Sequence, residues 1–322
     1  MKIHGLSLVK NEADIIVQSL SSAAEWCDFI YVFDNGSTDS TWEKVLGVAS
    51  KNDRIIPFKQ DSAAFHDGLR GEIFNQYKNN SEEGDWWCRL DADEFYIDDP
   101  RIFLSKIPEP YELVCSASFG FYFTDADLKA YEQDPARYAE SVPVEEKITY
   151  YSNRWSEIRC VKHVKDMAWP LDSAWPVSNR NIYPIRIWTK NYRYRSPEQM
   201  QSRIETRRNA MERGGFVHEL ASRNYWKEKN RVDPTGAIIE NKLIDPNLIS
   251  WKDRVADSKS LYHYQFDGKY FCNESLMPSV EEIERYIENK IVTQSKDKQK
   301  LPLLLKRIHS IRSKLRHLNA PG

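Results

Sequence analysis

The chain has 322 residues, 41% of them apolar and 29% charged, ordinary globular proportions that exclude a disulfide-stapled miniature, a collagen-like repeat and a disordered tract. The formal charge of −2 is unevenly spread: from Ser295 onward eight Lys or Arg meet only Asp297, so the tail carries +7 and the remainder −9. No apolar run reaches the ~18 residues of a membrane span, and the opening MKIHGLSLVKNEAD lacks a signal peptide's apolar stretch, so a cytoplasmic protein is expected.

The first 120 residues alternate short β-type runs with helix-length amphipathic stretches, the pattern of βαβ units and a largely parallel sheet. A strand is predicted over 3–9. Asn11 then caps a helix whose apolar face is Ile15, Ile16, Leu20, Ala23 and Ala24. The strand at 29–33 stops abruptly in Asp34-Asn35-Gly36-Ser37-Thr38-Asp39, after which Ser40 and Glu43 form a capping-box pattern for a second helix. A third strand is predicted at 54–58, a third helix at 66–80 and a fourth strand at 86–90, which runs directly into Asp91-Ala92-Asp93-Glu94.

Beyond Pro108 the pattern becomes more antiparallel and aromatic, with strands predicted at 113–123, 147–151, 158–164 and 182–189. Pro197 behind Ser196 opens a helix over 197–213. The stretch 227–246 is polar and loop-rich, and helices are predicted at 280–292 and 302–318. Cys27, Cys88, Cys115, Cys160 and Cys272 are widely spaced with no CxxC pair, which fits reduced, mostly buried residues better than a zinc clamp or disulfide framework.

In an open α/β sheet ligands bind beyond the carboxyl ends of the strands, and three polar clusters fall there: Asn11-Glu12, Asp34-Asn35-Gly36-Ser37 and Asp91-Ala92-Asp93-Glu94. A strand buried on both faces cannot hold uncompensated carboxylates, so Asp91 and Asp93 must lie just past its end. Converging carboxylates at such a place suit Mg²⁺ or Mn²⁺ held together with substrate phosphates, where the ion neutralises a leaving diphosphate. The alternative is a solvated acidic turn ahead of a helix starting at Asp98-Asp99-Pro100.

Three blocks, Leu8 to Glu12, Val32 to Asp39 and Trp86 to Phe95, together resemble the successive motifs of family-2 glycosyltransferases of the GT-A fold, DxD motif included, over roughly residues 1–125. The resemblance implies a GT-A-like α/β domain with a mixed, mainly parallel sheet flanked by helices and a C-terminal helical extension. With it the chain is expected to divide into a nucleotide-sugar-binding half (1–110), an acceptor-binding half (111–225), an extension (226–295) and, on the charge and apolar pattern of the tail, a basic amphipathic helix (296–322). It implies that Asp34 meets the nucleobase, with Asn11, Glu12 and Asn35 beside the nucleotide, that Asp91 approaches the ribose or sugar, and that Asp93, with Asp91, ligates Mn²⁺ or Mg²⁺. Arg70 aligns with a basic residue that approaches the nucleotide in many members, or is a surface residue of an amphipathic helix.

Members characteristically invert the anomeric centre in a single displacement, so a carboxylate downstream must act as base toward a carbohydrate or lipid-linked acceptor. No acidic pair on a helix stands in residues 150–210. The candidates are Asp172, in the aromatic loop Trp169 to Pro176, then Glu157 and Asp166. His163 and His263 are candidate additional metal ligands or structural residues. Arg193 and Arg195 are candidate diphosphate contacts, while Asn191 stands where relatives often carry a His. Trp155, Trp169, Trp175 and Trp188 either stack on sugars or fill the core.

In the tail, Leu304, Ile308, Ile311, Leu315 and Leu318 share one helical face, with Lys306, Arg307, Arg312, Lys314 and Arg316 elsewhere. Such a helix lies on an anionic membrane surface or docks on the acidic body; no nucleic-acid module is present. The rival functions are a metal-dependent nucleotidyltransferase, for which no Gly-rich basic loop is found, and a non-catalytic carbohydrate-binding protein on the same scaffold.

Overall fold

The computed structural model describes residues 1–153, 156–171, 173–176, 181–211 and 249–272, with 279 and 282. The helix expected at 302–318 and the loop at 227–246 lie outside these residues, as does the helix expected at 280–292 except for Glu282.

Four strands follow their apolar runs into one parallel layer: β1 (Ile3–Val9), β2 (Phe29–Asp34), β3 (Ile55–Gln60) and β4 (Trp86–Leu90), in the order β3-β2-β1-β4. Every residue of β1 is buried. Its side chains alternate between two cores, Ile3 and Val9 to one side and Leu6 and Leu8 to the other. Helix α1 (Ile16–Ala24) covers the first face with Ile16, Leu20, Ala23 and Ala24; α2 (Thr41–Ala49) adds Val45. Helix α3 (Leu69–Tyr77) covers the second with Leu69, Ile73 and Phe74, so β1, β2 and β4 are buried on both sides while the edge strand β3 is half-buried. Each fully buried side chain of this size contributes about 1.5–3 kcal/mol of burial energy.

The sheet then turns antiparallel. After the short β5 (Glu94–Tyr96) and α4 (Pro100–Ser105), the long β6 (Tyr111–Tyr122) pairs with β7 (Tyr150–Asn153) and with β8 (Ile158–Lys162), which closes against β4. One continuous sheet therefore crosses residue 110. Helix α5 (Asp125–Gln133) and the single turn α6 (Val144–Lys147) interrupt β6 and β7. The run expected at 182–189 divides into β9 (Asn181–Ile182) and β10 (Ile187–Asn191), and β10 pairs with β5 and β6. Helix α7 (Pro197–Met211) follows, and β11 (Tyr262–His263) edges the sheet beside β7.

Two expected caps are not formed. Asn11 stands well before α1 with φ +53°, and its side chain faces Thr38 and Thr206 instead. Ser40 precedes α2 but makes no side-chain cap; Asp39 accepts from the Thr41 amide at 3.0 Å in its place. Conversely, Thr124 and Asp127 form a capping box at α5, a helix the periodicity did not indicate. Cys27, Cys88, Cys115 and Cys160 are buried free thiols, as the spacing indicated. Among the described residues no helix is long and apolar enough to cross a membrane.

Candidate active site

Because β1, β2 and β4 run parallel, Asn11-Glu12, Asp34-Asn35 and Asp91 to Glu94 all emerge at the same edge. Strand order reverses between β1 and β4, which is where an open α/β sheet leaves a crevice.

Asp34 is fully buried at the end of β2. Its Oδ1 accepts from the Ser37 amide at 2.7 Å and from Gln60 Nε2 at 3.4 Å, whereas Oδ2 has no hydrogen-bond partner among the described residues. A buried acceptor left unmade costs about 1–3 kcal/mol, so this oxygen is set to receive a donor. Asn35 is committed to the fold: its amide donates to the carbonyls of Asp61 and Ala63. Asn11 is similarly engaged, donating from Nδ2 to Thr206 Oγ1 at 2.9 Å and accepting the Thr38 amide at 2.8 Å.

Asp91 is surrounded by guanidinium groups. Arg70 donates to Oδ1 at 2.6 Å, Arg159 to Oδ2 at 2.8 Å, and Arg89 Nε lies 3.2 Å from Oδ2. Burial works to raise its pKa, but Arg89, Arg70 and Arg159 overcome that and hold it well below the usual carboxylate range. Arg70 is itself buried, not a surface residue; burial and the neighbouring Arg89 pull it down to about 10, and its Nε and Nη1 have no hydrogen-bond partner among the described residues.

Asp93 turns the other way. Its Oδ1 receives Asn191 Nδ2 at a long 3.4 Å, and its Oδ2 lies 3.6 Å from Arg203 Nη1 on α7. The same Arg203 nitrogen is 3.7 Å from Glu12 Oε1. Burial drives Glu12 up to about 7, with Arg195 opposing and Asp93 adding to the rise. Glu94 is likewise pushed up to about 8 by burial, although Arg159 opposes it at 2.6 Å. Arg195, expected at a diphosphate, is instead 1% exposed and closed on Glu12 and Asp14.

Asp91 and Asp93 are thus not a paired chelate. Asp91 has both oxygens occupied by arginines and does not fit a metal, while Asp93 keeps its neighbours at the longer distances of 3.4 and 3.6 Å. Among the described residues no three His, Cys, Asp or Glu side chains are grouped to hold an ion.

His163 is not brought to this edge. Its backbone pairs with Asp85 at the opposite end of β4, about 20 Å away by strand rise, and its Nδ1 meets Ser81 Oγ at 2.9 Å and Trp87 Nε1 at 3.1 Å. His263 lies at the β11 edge against Tyr150. Glu157 does join the cluster, its Oε2 3.8 Å from Arg89 and 3.6 Å from Arg159, with the side chain 41% exposed. Asp172 and Trp155 lie outside the described residues. Trp169 is core, and Trp188 packs on Phe119; Trp175 lies beside Trp169 with the Arg89 guanidinium 5.8 Å from its ring.

Sequence reasoning missed Arg159 and Arg203. The one signal for Arg159 was a cation set between the apolar Ile158 and Cys160, and a buried cation demands a buried anion.

No protein-family model matches the chain, and no curated protein sequence does. Among solved structures it is similar to Staphylococcus aureus TarS 1–349 in complex with UDP, at 19% identity and a TM-score of 0.28, covering 37% of this chain and 35% of that one. It is similar also to the Pyrobaculum calidifontis mannosyltransferase PcManGT in complex with GDP-Man and Mn²⁺, at 13% identity and a TM-score of 0.35, covering 66% and 64%. A third is glucosyl-3-phosphoglycerate synthase from Mycobacterium tuberculosis with Mn²⁺, UDP and phosphoglyceric acid, at 16% identity and a TM-score of 0.25, covering 50% and 55%. The chain spans about a third of TarS 1–349 and under two thirds of the other two.

Proposed function

We propose that the protein is a glycosyltransferase that moves a hexosyl group from a nucleotide-sugar donor to a carbohydrate or lipid-linked acceptor, inverting the anomeric centre. The observation that carries this reading is Asp34: a fully buried carboxylate with one oxygen lacking a hydrogen-bond partner among the described residues, at the end of β2 on the sheet edge where the acidic turn at 91–94 also emerges. An oxygen of that kind suits an N–H of a nucleobase. The three sequence blocks that resemble family-2 glycosyltransferases supply all of these residues, which supports donor binding by residues 1–110 and acceptor binding by 111–225.

In this reading Asp93 holds Mn²⁺ or Mg²⁺ together with the donor diphosphate; when bound, the ion offsets the negative charge that grows on the leaving group. Asp91 acts through its arginines. Arg70, Arg89 and Arg159 keep three cationic groups beside the diphosphate end of the crevice, where preorganised charge is most effective. An acceptor hydroxyl attacks the anomeric carbon as its bond to the diphosphate breaks, and a carboxylate takes the hydroxyl proton. Glu157, the exposed member of the cluster, suits that role; Asp172 is the other candidate.

The test is nucleotide release from UDP-, GDP-, dTDP- and CMP-sugars in Mn²⁺ and in Mg²⁺, with a thermal-shift screen alongside. Turnover or metal-enhanced binding of one donor is expected. No binding and no release across the whole panel would overturn the reading.

A further inference from the structure

We infer that Arg159 is a positioning residue of this site: anchored on β8, it clips Asp91 and Glu94 together and thereby decides that Asp93 is the carboxylate presented to the donor. The inference rests on the glycosyltransferase reading and deepens it.

Four residues carry three carboxylates in this turn, which is closed by a hydrogen bond from the Glu94 amide to the Asp91 carbonyl at 3.0 Å. Such closure brings residues i and i+3 together and leaves i+2 apart. Unaided, the Asp91 and Glu94 side chains have nothing within the turn to hold them to one another, and the turn is free to open. Arg159 prevents this with a divided fork, Nη1 to Asp91 Oδ2 at 2.8 Å and Nη2 to Glu94 Oε1 at 2.6 Å, from a side chain only 4% exposed. Asn191 Nδ2 holds Glu94 from β10 at 3.1 Å. With the first and last carboxylates drawn toward β8, Asp93 faces Asn191, Arg203 and the Glu12 loop.

The two acceptors belong to different carboxylates, so a planar fork is needed and a point charge does not replace it. Arg159→Lys keeps the charge and loses the fork. Glu94→Gln weakens the same clip from its other end and serves as the second variant.

Isothermal titration of the 322-residue chain with UDP, GDP, dTDP and CMP in MnCl₂ provides the readout. The nucleotide that the wild type binds is expected to bind Arg159→Lys and Glu94→Gln about tenfold more weakly each. The double variant should lose no more than the worse single one, since both break one clip. In turnover, kcat should fall more than the acceptor KM rises. Unchanged affinity in Arg159→Lys, or additive losses in the double variant, overturns the inference alone. A wild type that binds none of the nucleotides overturns the glycosyltransferase reading, and the inference with it.

Discussion

Arg195 reaches back across 181 residues of chain to Asp14, donating from Nε and Nη2 to its two oxygens at 2.7 Å each. Nη2 also meets Glu12 Oε2 at 2.6 Å, and Nη1 donates to the Tyr192 carbonyl at 2.9 Å. One buried guanidinium therefore fixes the loop after β1 to the turn between β10 and α7. That junction sets where Glu12 stands relative to Asp93.

Truncating this clasp should be severe. Arg195→Ala leaves Glu12 and Asp14 without their buried cation, and breaking such a pair costs about 3–5 kcal/mol. Urea unfolding should show a loss of that size. A loss under about 1 kcal/mol would mean that water reaches the carboxylates and that the clasp is not structural.

Stability should also fall at mildly alkaline pH. Glu12 and Glu94 are raised from 4.5 to about 7 and about 8, so between those limits the folded protein holds more protons than the unfolded chain, and stability declines as pH rises. His4 has the opposite sign: burial lowers it from 6.5 to about 4, so it favours the folded state increasingly up to 6.5. The two trends oppose one another below 6.5, and only the glutamates remain above it. Urea midpoints should therefore drop between pH 6.5 and 8, and Glu94→Gln should remove most of that drop. An unchanged slope in Glu94→Gln would show that Glu94 ionises normally.

Asp34→Asn separates binding from folding. The amide oxygen can still accept from Ser37, but an N–H₂ group replaces the unpaired Oδ2 and turns an acceptor into a donor. Thermal stability should stay within a degree or two, while nucleotide affinity falls by about ten- to a hundredfold. Equal affinity in the variant would remove Asp34 from base recognition.

What the chain disclosed about itself follows from range. β1, β2 and β4 were legible because a strand buried on both faces must be a continuous apolar run, and the polar clusters after them mark where burial ends. The environment of Asp91 was not legible, since its three cations come from positions 2, 21 and 68 residues away. Spacing along the chain made Asp91 and Asp93 look like one chelate; contacts across the sheet divide them. The false cap at Asn11 has the same origin, because Thr38 and the distant Thr206 draw its side chain away from α1, whereas at Ser40 the neighbouring Asp39 takes the capping place. His163 matched by residue type alone, and the antiparallel β4–β8 pairing carries it to the far end.

The aromatic loop ahead of Asp172 rests on two glycines of the segment that carries Arg70. A Cβ added to Gly68 would stand 2.0 Å from the Leu171 carbonyl oxygen and 2.7 Å from its carbon, and one on Gly71 would stand 2.9 Å from Trp169 Cδ1. Backbone cannot yield as a side-chain tip can, so Gly68→Ala must lift the loop, at a cost of about 1–3 kcal/mol. Lifting it also breaks the bond from Asn75 Nδ2 to the Trp169 carbonyl and disturbs the Trp169–Trp175 stack. Gly68→Ala should consequently shift the tryptophan emission of the folded protein and lower its urea midpoint, while Gly47→Ala, where nothing lies within 4 Å of the new methyl, should do neither. If Asp172 is the base, turnover in Gly68→Ala collapses; if Glu157 is, turnover falls far less, because Glu157 meets this loop only at second hand, through Arg89 beside Trp175.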